Sequence, residues 1–515
     1  VTSSRRKAVL WGVLVLVLVL VSVTVTVLVL TRDDDDDESG AWIEPTPTAE
    51  GVPEGLEEFY TQELQWEECG DDQCTTVEVP IDYADPEGET TELAVLVVPA
   101  TGDGGRSLFV NPGGPGGSAI DYAQQFSRTL PDEAQDLYDV VGVDPRGVGE
   151  SSPLDCLDDE EFDAYAAADP TPDDPAEIAQ LTTLVTELGE GCEAKSGELA
   201  GHVSTAEAAR DLDVVRALLG QKELDWFGAS YGTFLGATYA SLFPERVGRM
   251  VLDGAIDPTL GTVESSLGQV TGFERAVQAY AASCVQQDDC PLGNDAAAGV
   301  ERIAGLLEQL DAAPMPTDSD RDLTEGLAFF GIALPLYNEQ NWPVLTQALT
   351  AAIEDGDGSV LLYLSDQYFQ RSASGEYDSN IGEVITAVNC LDALDRPTVA
   401  DAQDQLDTFA DASQVFGRAL GWGIAACSAW PFEPAEEPVE IEAEGAAPIL
   451  VLGTTRDPAT PYEAAVALAE QLDSGVLVTR DGDGHTAYQS GNECIADTVN
   501  DFLVDGTVPE EDPLC

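Results

Sequence analysis

Short apolar runs bounded by glycine, proline and acidic residues recur along this chain, and most are three to six residues long. Residues 93–98, 108–111, 140–143, 224–227, 250–252, 449–452 and 476–478 read this way. Uniformly apolar runs of that length predict strands of a mostly parallel sheet buried on both faces, because a half-exposed strand would alternate. Between them the apolar spacing changes to that of helices. Residues 206–219 form one such segment, with Ser204 or Thr205 placed as its N-cap, and the Gly/Ala-rich residues 233–242 form another. Residues 273–285, 297–310 and 342–353 continue the helical spacing through a long stretch without strand signals. Setting aside the first fifty-odd residues leaves about 460, enough for one sheet between helical layers plus an inserted domain. The expected class is therefore α/β.

Within that frame Gly228-Ala229-Ser230-Tyr231-Gly232 stands between a predicted strand and a predicted helix. A serine at such a turn projects its hydroxyl above the sheet, and small flanking residues let the backbone turn tightly. Serine needs a base beside it at neutral pH. The chain has two histidines, His202 and His485. His202 precedes a helix and is expected to hydrogen-bond backbone there. His485 lies in a glycine-rich loop after the strand 475–479, which makes it the candidate base. Asp457, in the loop after 447–453, is the candidate acid that orients the imidazole. The order Ser230, Asp457, His485 is that of the α/β-hydrolases. Donors for an oxyanion are expected from the N–H groups of Tyr231 and Gly114, with Gly113 as the near alternative. The segment Pro112-Gly-Gly-Pro-Gly-Gly-Ser118 follows a strand and leaves its backbone N–H groups unobstructed. It does not read as a phosphate loop, since no Lys-Ser/Thr follows and no G-x-G-x-x-G occurs.

These residues resemble a known family. Asn111 to Ser118, Asp139 to Gly149, the Ser230 turn, Asp457 to Pro461 with Gly484-His485, and Val79 to Pro86 are similar to the secreted tripeptidyl aminopeptidases of actinobacteria. Those are grouped with proline iminopeptidases among the α/β-hydrolases, and the likeness spans roughly residues 60–515. It implies a serine exopeptidase that removes short peptides or single residues from free N-termini, with no metal or organic cofactor. It also implies a mostly helical cap inserted in the sheet, here at residues 259–435, between core segments 57–258 and 436–515. Classical proline iminopeptidases carry histidine where Pro112 stands, which argues against strict proline specificity. A peptidase of N-termini must bind an ammonium. Asp392, next to Cys390 in the cap, is the candidate carboxylate. An esterase or lipase acting through the same groups is the alternative, because the catalytic residues do not specify the acyl group. A catalytically inactive surface-binding protein is a further rival.

Charge and cysteines set the environment. Residues 8–30 carry no charge, follow Arg5, Arg6 and Lys7, and precede Arg32 and five aspartates. Such a segment can cross a bilayer of about 30 Å with its N-terminus inside. Residues 1–32 are expected to be an uncleaved signal anchor holding the enzyme at the cell surface, secretion after cleavage being the alternative. Residues 33–56 are expected to be a flexible acidic linker. The ten cysteines all lie beyond the anchor, an even count in an exported chain. Proximity suggests Cys69–Cys74, Cys156–Cys192, Cys284–Cys290, Cys390–Cys427 and Cys494–Cys515, although other connectivities fit the count. No C-x-x-C occurs, so a metal or redox cluster is disfavoured. The net charge is −76, with three lysines (Lys7, Lys195, Lys222). That excludes nucleic acid as a partner, since no basic patch neutralises phosphate, and favours neutral or cationic peptides. A shell so acidic predicts a saline habitat. Oligomeric state has no signature here.

Overall fold

In a computed structural model, residues 42, 44–48, 51–102, 104–434, 438–510 and 512–515 are described. The expected anchor and the first part of the linker lie outside them. Residues 44–515 form one compact unit. Among the described residues no helix is long and apolar enough to cross a membrane.

The nine strands are β1 (Glu67–Cys69), β2 (Asp72–Pro80), β3 (Thr90–Val98), β4 (Arg106–Asn111), β5 (Tyr138–Val143), β6 (Leu224–Ala229), β7 (Val247–Asp253), β8 (Ile449–Arg456) and β9 (Gly475–Asp483). They make one sheet in the order β1-β2-β3-β5-β4-β6-β7-β8-β9. Pairing is antiparallel from β1 through β3 to β5 and parallel from β5 to β9. All seven apolar runs fall inside strands. Successive residues of each parallel strand feed opposite faces. Trp226, Met250, Ile449 and Val451 join the core under helices Thr205–Leu218 and Tyr231–Leu242, while Phe227, Leu450 and Leu452 join the core under helix Glu493–Asp505. This is the α/β-hydrolase fold, with its antiparallel edge made by β1 to β3. The exposed and buried residues of β2 alternate, so no uniform apolar run announces it.

Between β7 and β8 the chain passes through a helical excursion over residues 262–423 that encloses a core of its own. The three expected helices appear as Thr262–Cys284, Ala296–Ala312 and Trp342–Thr350. The cap is broader than the sequence suggested. Helix Asp159–Ala166, from the β5–β6 connection, places Phe162 and Ala166 in the cap core. There Asp163 accepts bidentate bonds from Arg371 at 2.6 and 2.7 Å and one from the Tyr377 hydroxyl at 2.7 Å.

The linker also differs from expectation at its C-terminal end. Thr48 donates its N–H to the Ala217 carbonyl at 2.8 Å, and the Gly51 carbonyl accepts from Arg246. These groups dock residues 44–48 and 51–55 on the core rather than leaving them free. All five disulfides join the expected partners. Five such bonds are characteristic of chains that mature in an oxidising compartment.

Candidate active site

Ser230 occupies the turn between β6 and helix Tyr231–Leu242, with φ 56° and ψ −123°. A non-glycine residue there costs roughly 1–3 kcal/mol and persists only where its surroundings impose it. The Ser230 N–H donates to the Asp253 carbonyl at 2.8 Å, and its own carbonyl accepts from the Thr233 hydroxyl at 2.6 Å. A side chain at Gly228 would collide with the Gly232 carbonyl, which accepts from Trp226 Nε1 at 3.1 Å. The small flanking residues are thus required by close approach of strand and helix.

Asp457 opens the loop after β8 and is 1% exposed. Three backbone N–H groups, from Ala459, Thr460 and Thr486, hold its carboxylate at 2.9, 2.9 and 3.1 Å. Both of its oxygens lie 2.9 Å from His485 Nδ1. A carboxylate facing Nδ1 puts the proton there and leaves Nε2 as the basic nitrogen. Burial disfavours the imidazolium, but the Asp457 charge and hydrogen bond, with a smaller contribution from Asp253, outweigh it and raise the His485 pKa above 6.5. The ring edge approaches the serine turn. A Cβ built at Gly254, next to the residue that accepts the Ser230 N–H, would stand 3.2 Å from His485 Cε1. Among the described residues, buried Nε2 makes no hydrogen bond.

Two residues that sequence reasoning missed hold the base loop. Asp253, at the end of β7, accepts the N–H groups of Ala487 and Tyr488 at 2.7 and 2.8 Å, and burial pushes its carboxyl up to about 6. It shares the signature that singled out Asp457, an aspartate ending an apolar strand, so the same signal would have found it. Tyr337, in the cap, accepts the His485 N–H on its carbonyl at 2.7 Å. Nothing in residue type marks such a contact.

Of the loop glycines, Gly113 lies against the serine turn. Its N–H, however, donates to Asn111 Oδ1 at 2.9 Å, which removes it as the alternative oxyanion donor. The N–H groups of Gly114 and Tyr231 carry no such bond among the described residues.

Ser230, Tyr231 and Gly114 open into a chamber of about 890 Å³ between sheet and cap. Its walls are largely aromatic and aliphatic, including Phe234, Phe273, Phe329, Phe330, Tyr368 and Ile385. The acids on its lining are Asp257, Asp392 and Glu463. Glu463 is paired with Arg275 at 2.9 Å, and Asp257 accepts from Thr259 and Gln471. Asp392 faces Thr205, whose N–H and hydroxyl donate to its two oxygens at 2.9 and 2.5 Å. Burial pushes the Asp392 carboxyl up to about 7, so it is not the solvated surface charge that an acidic cap would lead one to expect.

His202 hydrogen-bonds backbone as expected, its N–H donating to the Leu199 carbonyl at 2.9 Å. Its carbonyl accepts from Arg146 at 3.0 Å, and its ring Nδ1 stands 3.6 Å from buried Glu207. Among the described residues, Asp82, His202 and Glu207, and separately Asp169, Asp311 and Glu325, converge closely enough to hold a cation. Neither group lines the chamber. At the first, Arg146 and Arg210 already stand 3.7 and 3.9 Å from Glu207.

Fold and site together define a serine hydrolase of α/β-hydrolase type. Comparison with known proteins narrows the class. Residues 413–515 match the family described as TAP-like protein. The chain is 37% identical to serine protease Hip1 of Mycobacterium tuberculosis, over 88% of this chain and 91% of that one. It is 34% identical to the tripeptidyl aminopeptidase of Streptomyces lividans over 88% and 86% of the two chains. Carboxylesterase B of M. tuberculosis is 40% identical over 86% of each. The chain belongs to this tripeptidyl aminopeptidase-like family of α/β-hydrolases.

Proposed function

We propose that this chain is an extracytoplasmic serine exopeptidase that releases tripeptides or similarly short peptides from free N-termini. The observation that carries the reading is the Asp457–His485 pair, oriented so that Nε2 is the free base, on loops adjoining the strained Ser230 turn. In the mechanism, His485 Nε2 takes the Ser230 proton as Oγ attacks the scissile carbonyl. The N–H groups of Tyr231 and Gly114 stabilise the oxyanion, and such donors are worth roughly 10²–10³ each in rate. The His485 imidazolium then protonates the leaving amine, and water releases the acyl group through the same base.

Asp392 is assigned to the substrate ammonium. Among the described residues it is the chamber acid with neither an ion pair nor a bond from outside Thr205, and an arriving cation would favour its ionised form. The apolar segment 8–30 is assigned as a membrane anchor. A second reading, hydrolysis of carboxylic esters, draws support from the relative named carboxylesterase B.

One experiment separates these readings. Rates are compared for free and N-acetylated tripeptide anilides and for nitrophenyl esters, using the protein, Ser230→Ala and Asp392→Asn in saline buffer. The peptidase reading expects the free amine to be preferred, Ser230→Ala to be inactive, and Asp392→Asn to lose the preference. Ester turnover without anilide turnover would replace it with the second reading. An unchanged free-to-acetylated ratio in Asp392→Asn would remove Asp392 from the ammonium site.

A further inference from the structure

Tyr337 touches His485 from the cap side, and the contact is double. Beyond the carbonyl bond to the His485 N–H at 2.7 Å, the phenol ring stands edge-to-face on the imidazole, with centroids 5.4 Å apart and planes at 87°. Gly484 packs on the same carbonyl, since a Cβ there would lie 3.0 Å from the Tyr337 oxygen. Tyr337 follows helix Glu325–Leu336 of the cap, and its ring forms part of the chamber wall. On its other side a line of tilted and edge-on aromatic contacts leads away from the base. Tyr337 meets Phe273 at 5.8 Å, Phe273 meets Phe416 at 4.9 Å, and Phe416 meets Phe329 at 5.6 Å. Phe273 and Phe329 also face the chamber. The base loop is thus held from the core by Asp253 and from the cap by Tyr337, while Nε2 makes no hydrogen bond among the described residues.

We infer that Tyr337 is a positioning residue through which a large apolar side chain of the substrate, seated in the aromatic chamber, aligns the His485 imidazole with Ser230. The inference rests on the serine-peptidase reading above. Once that side chain fills the chamber, the aromatic rings between it and the base have little free volume left to absorb a displacement. A shift of the Tyr337 ring must therefore be followed by the imidazole it contacts. Only angstrom-scale alignment is at stake, yet a misplacement of that size can cost about 10²-fold in rate. Bulk in the acyl part of the substrate should then appear in kcat and not only in KM. A wall that merely bound the side chain would act on both states alike and change KM alone.

The test uses the full-length protein in saline buffer with three substrates: a free-amine tripeptide anilide rich in Phe and Leu, its all-alanine counterpart, and nitrophenyl acetate. The unaltered protein is expected to show a higher kcat, by about tenfold or more, on the bulky peptide than on the alanine one. Tyr337→Leu keeps the carbonyl bond and removes the ring. It should cut kcat on the bulky peptide about 10–100-fold more than it cuts turnover of nitrophenyl acetate. Tyr337→Phe should restore most of the bulky-peptide kcat. Equal losses on all three substrates, or a rise in KM with kcat retained, would overturn the inference. So would equal kcat values on the two peptides in the unaltered protein, a result that requires no variant to fold. Ser230→Ala is the separate arm: residual anilide turnover there would sink the underlying peptidase reading, whatever Tyr337 does.

Discussion

Replacing Gly113 by alanine tests the juxtaposition of the glycine-rich loop and the serine turn. A Cβ at that position would lie 2.5 Å from the Ala229 carbonyl oxygen, 2.8 Å from Ser230 Cβ and 2.9 Å from the Tyr231 nitrogen. None of these neighbours is the end of a flexible side chain. Two are backbone atoms, and the third is the first side-chain atom of the proposed nucleophile. With φ at 93°, an L side chain there adds strain of about 1–2 kcal/mol. The loop must back away from the turn and carry Gly114 with it. If the N–H of Gly114 then misses the oxyanion, the lost transition-state stabilisation is about 2.7–4 kcal/mol, or 10²–10³ in kcat. Stopped assays on a tripeptide anilide should show that fall in kcat with a much smaller change in KM. Labelling of Ser230 by a fluorophosphonate should slow in parallel. Gly305→Ala is the matched control. Its Cβ would meet nothing within 4 Å in helix Ala296–Ala312, so activity should be unchanged and stability should rise by about 0.5–1 kcal/mol. A Gly113→Ala enzyme with kcat within about threefold of the original would refute this placement of the oxyanion donors.

Because His485 must be neutral to act as base and its pKa is raised, the acid limb of kcat/KM should have its midpoint above pH 6.5; a midpoint below that in a pH–rate profile would contradict the Asp457 pairing. Burial raises three further carboxyls, Asp392 to about 7, Glu383 to about 7 and Glu325 to about 8. The folded chain therefore keeps protons that the unfolded chain releases near pH 4 to 4.5. Stability should fall as pH rises from there to about 8 and then level off, and a melting temperature that climbs over that interval would contradict it. At −76 the shell repels itself at low salt, whereas near 1 M the screening length falls to about 3 Å. Melting temperature and activity should both drop between 1 M and 10 mM NaCl, and equal values would rule out a salt-dependent fold.

What could be read from the sequence followed from burial on both faces. Runs such as Ile449 to Leu452 have apolar partners above and below the sheet, so each residue carries the signal. The half-exposed β2 alternates and does not stand out. Helix Pro175–Ser196 escaped notice for a related reason. It buries only Leu188, Gly189 and Cys192, and so lacks an apolar stripe. At the candidate site, Ser230, Asp457 and His485 could be proposed because their side-chain chemistry is scarce or sits at strand ends. Tyr337 could not, since it acts through a carbonyl and a ring face that any aromatic residue offers. Gly113 and Gly114 looked interchangeable until the Asn111 side chain was seen to occupy one of them. Asp392 could be proposed from the need for an ammonium partner, but its burial and its bonds to Thr205 are properties of the tertiary structure alone.

The seating of Phe162 among cap residues, with Asp163 clasped by Arg371, constrains how this enzyme can be recombined with its relatives. A chimera that exchanges only the excursion between β7 and β8 would bring a foreign partner to a ring and a carboxylate supplied by the recipient. Gly382 makes the mismatch concrete, because a Cβ there would run into the Phe162 ring. Substrate preference should therefore be transplanted with four crossovers rather than two, the short β5–β6 helix travelling with the larger block.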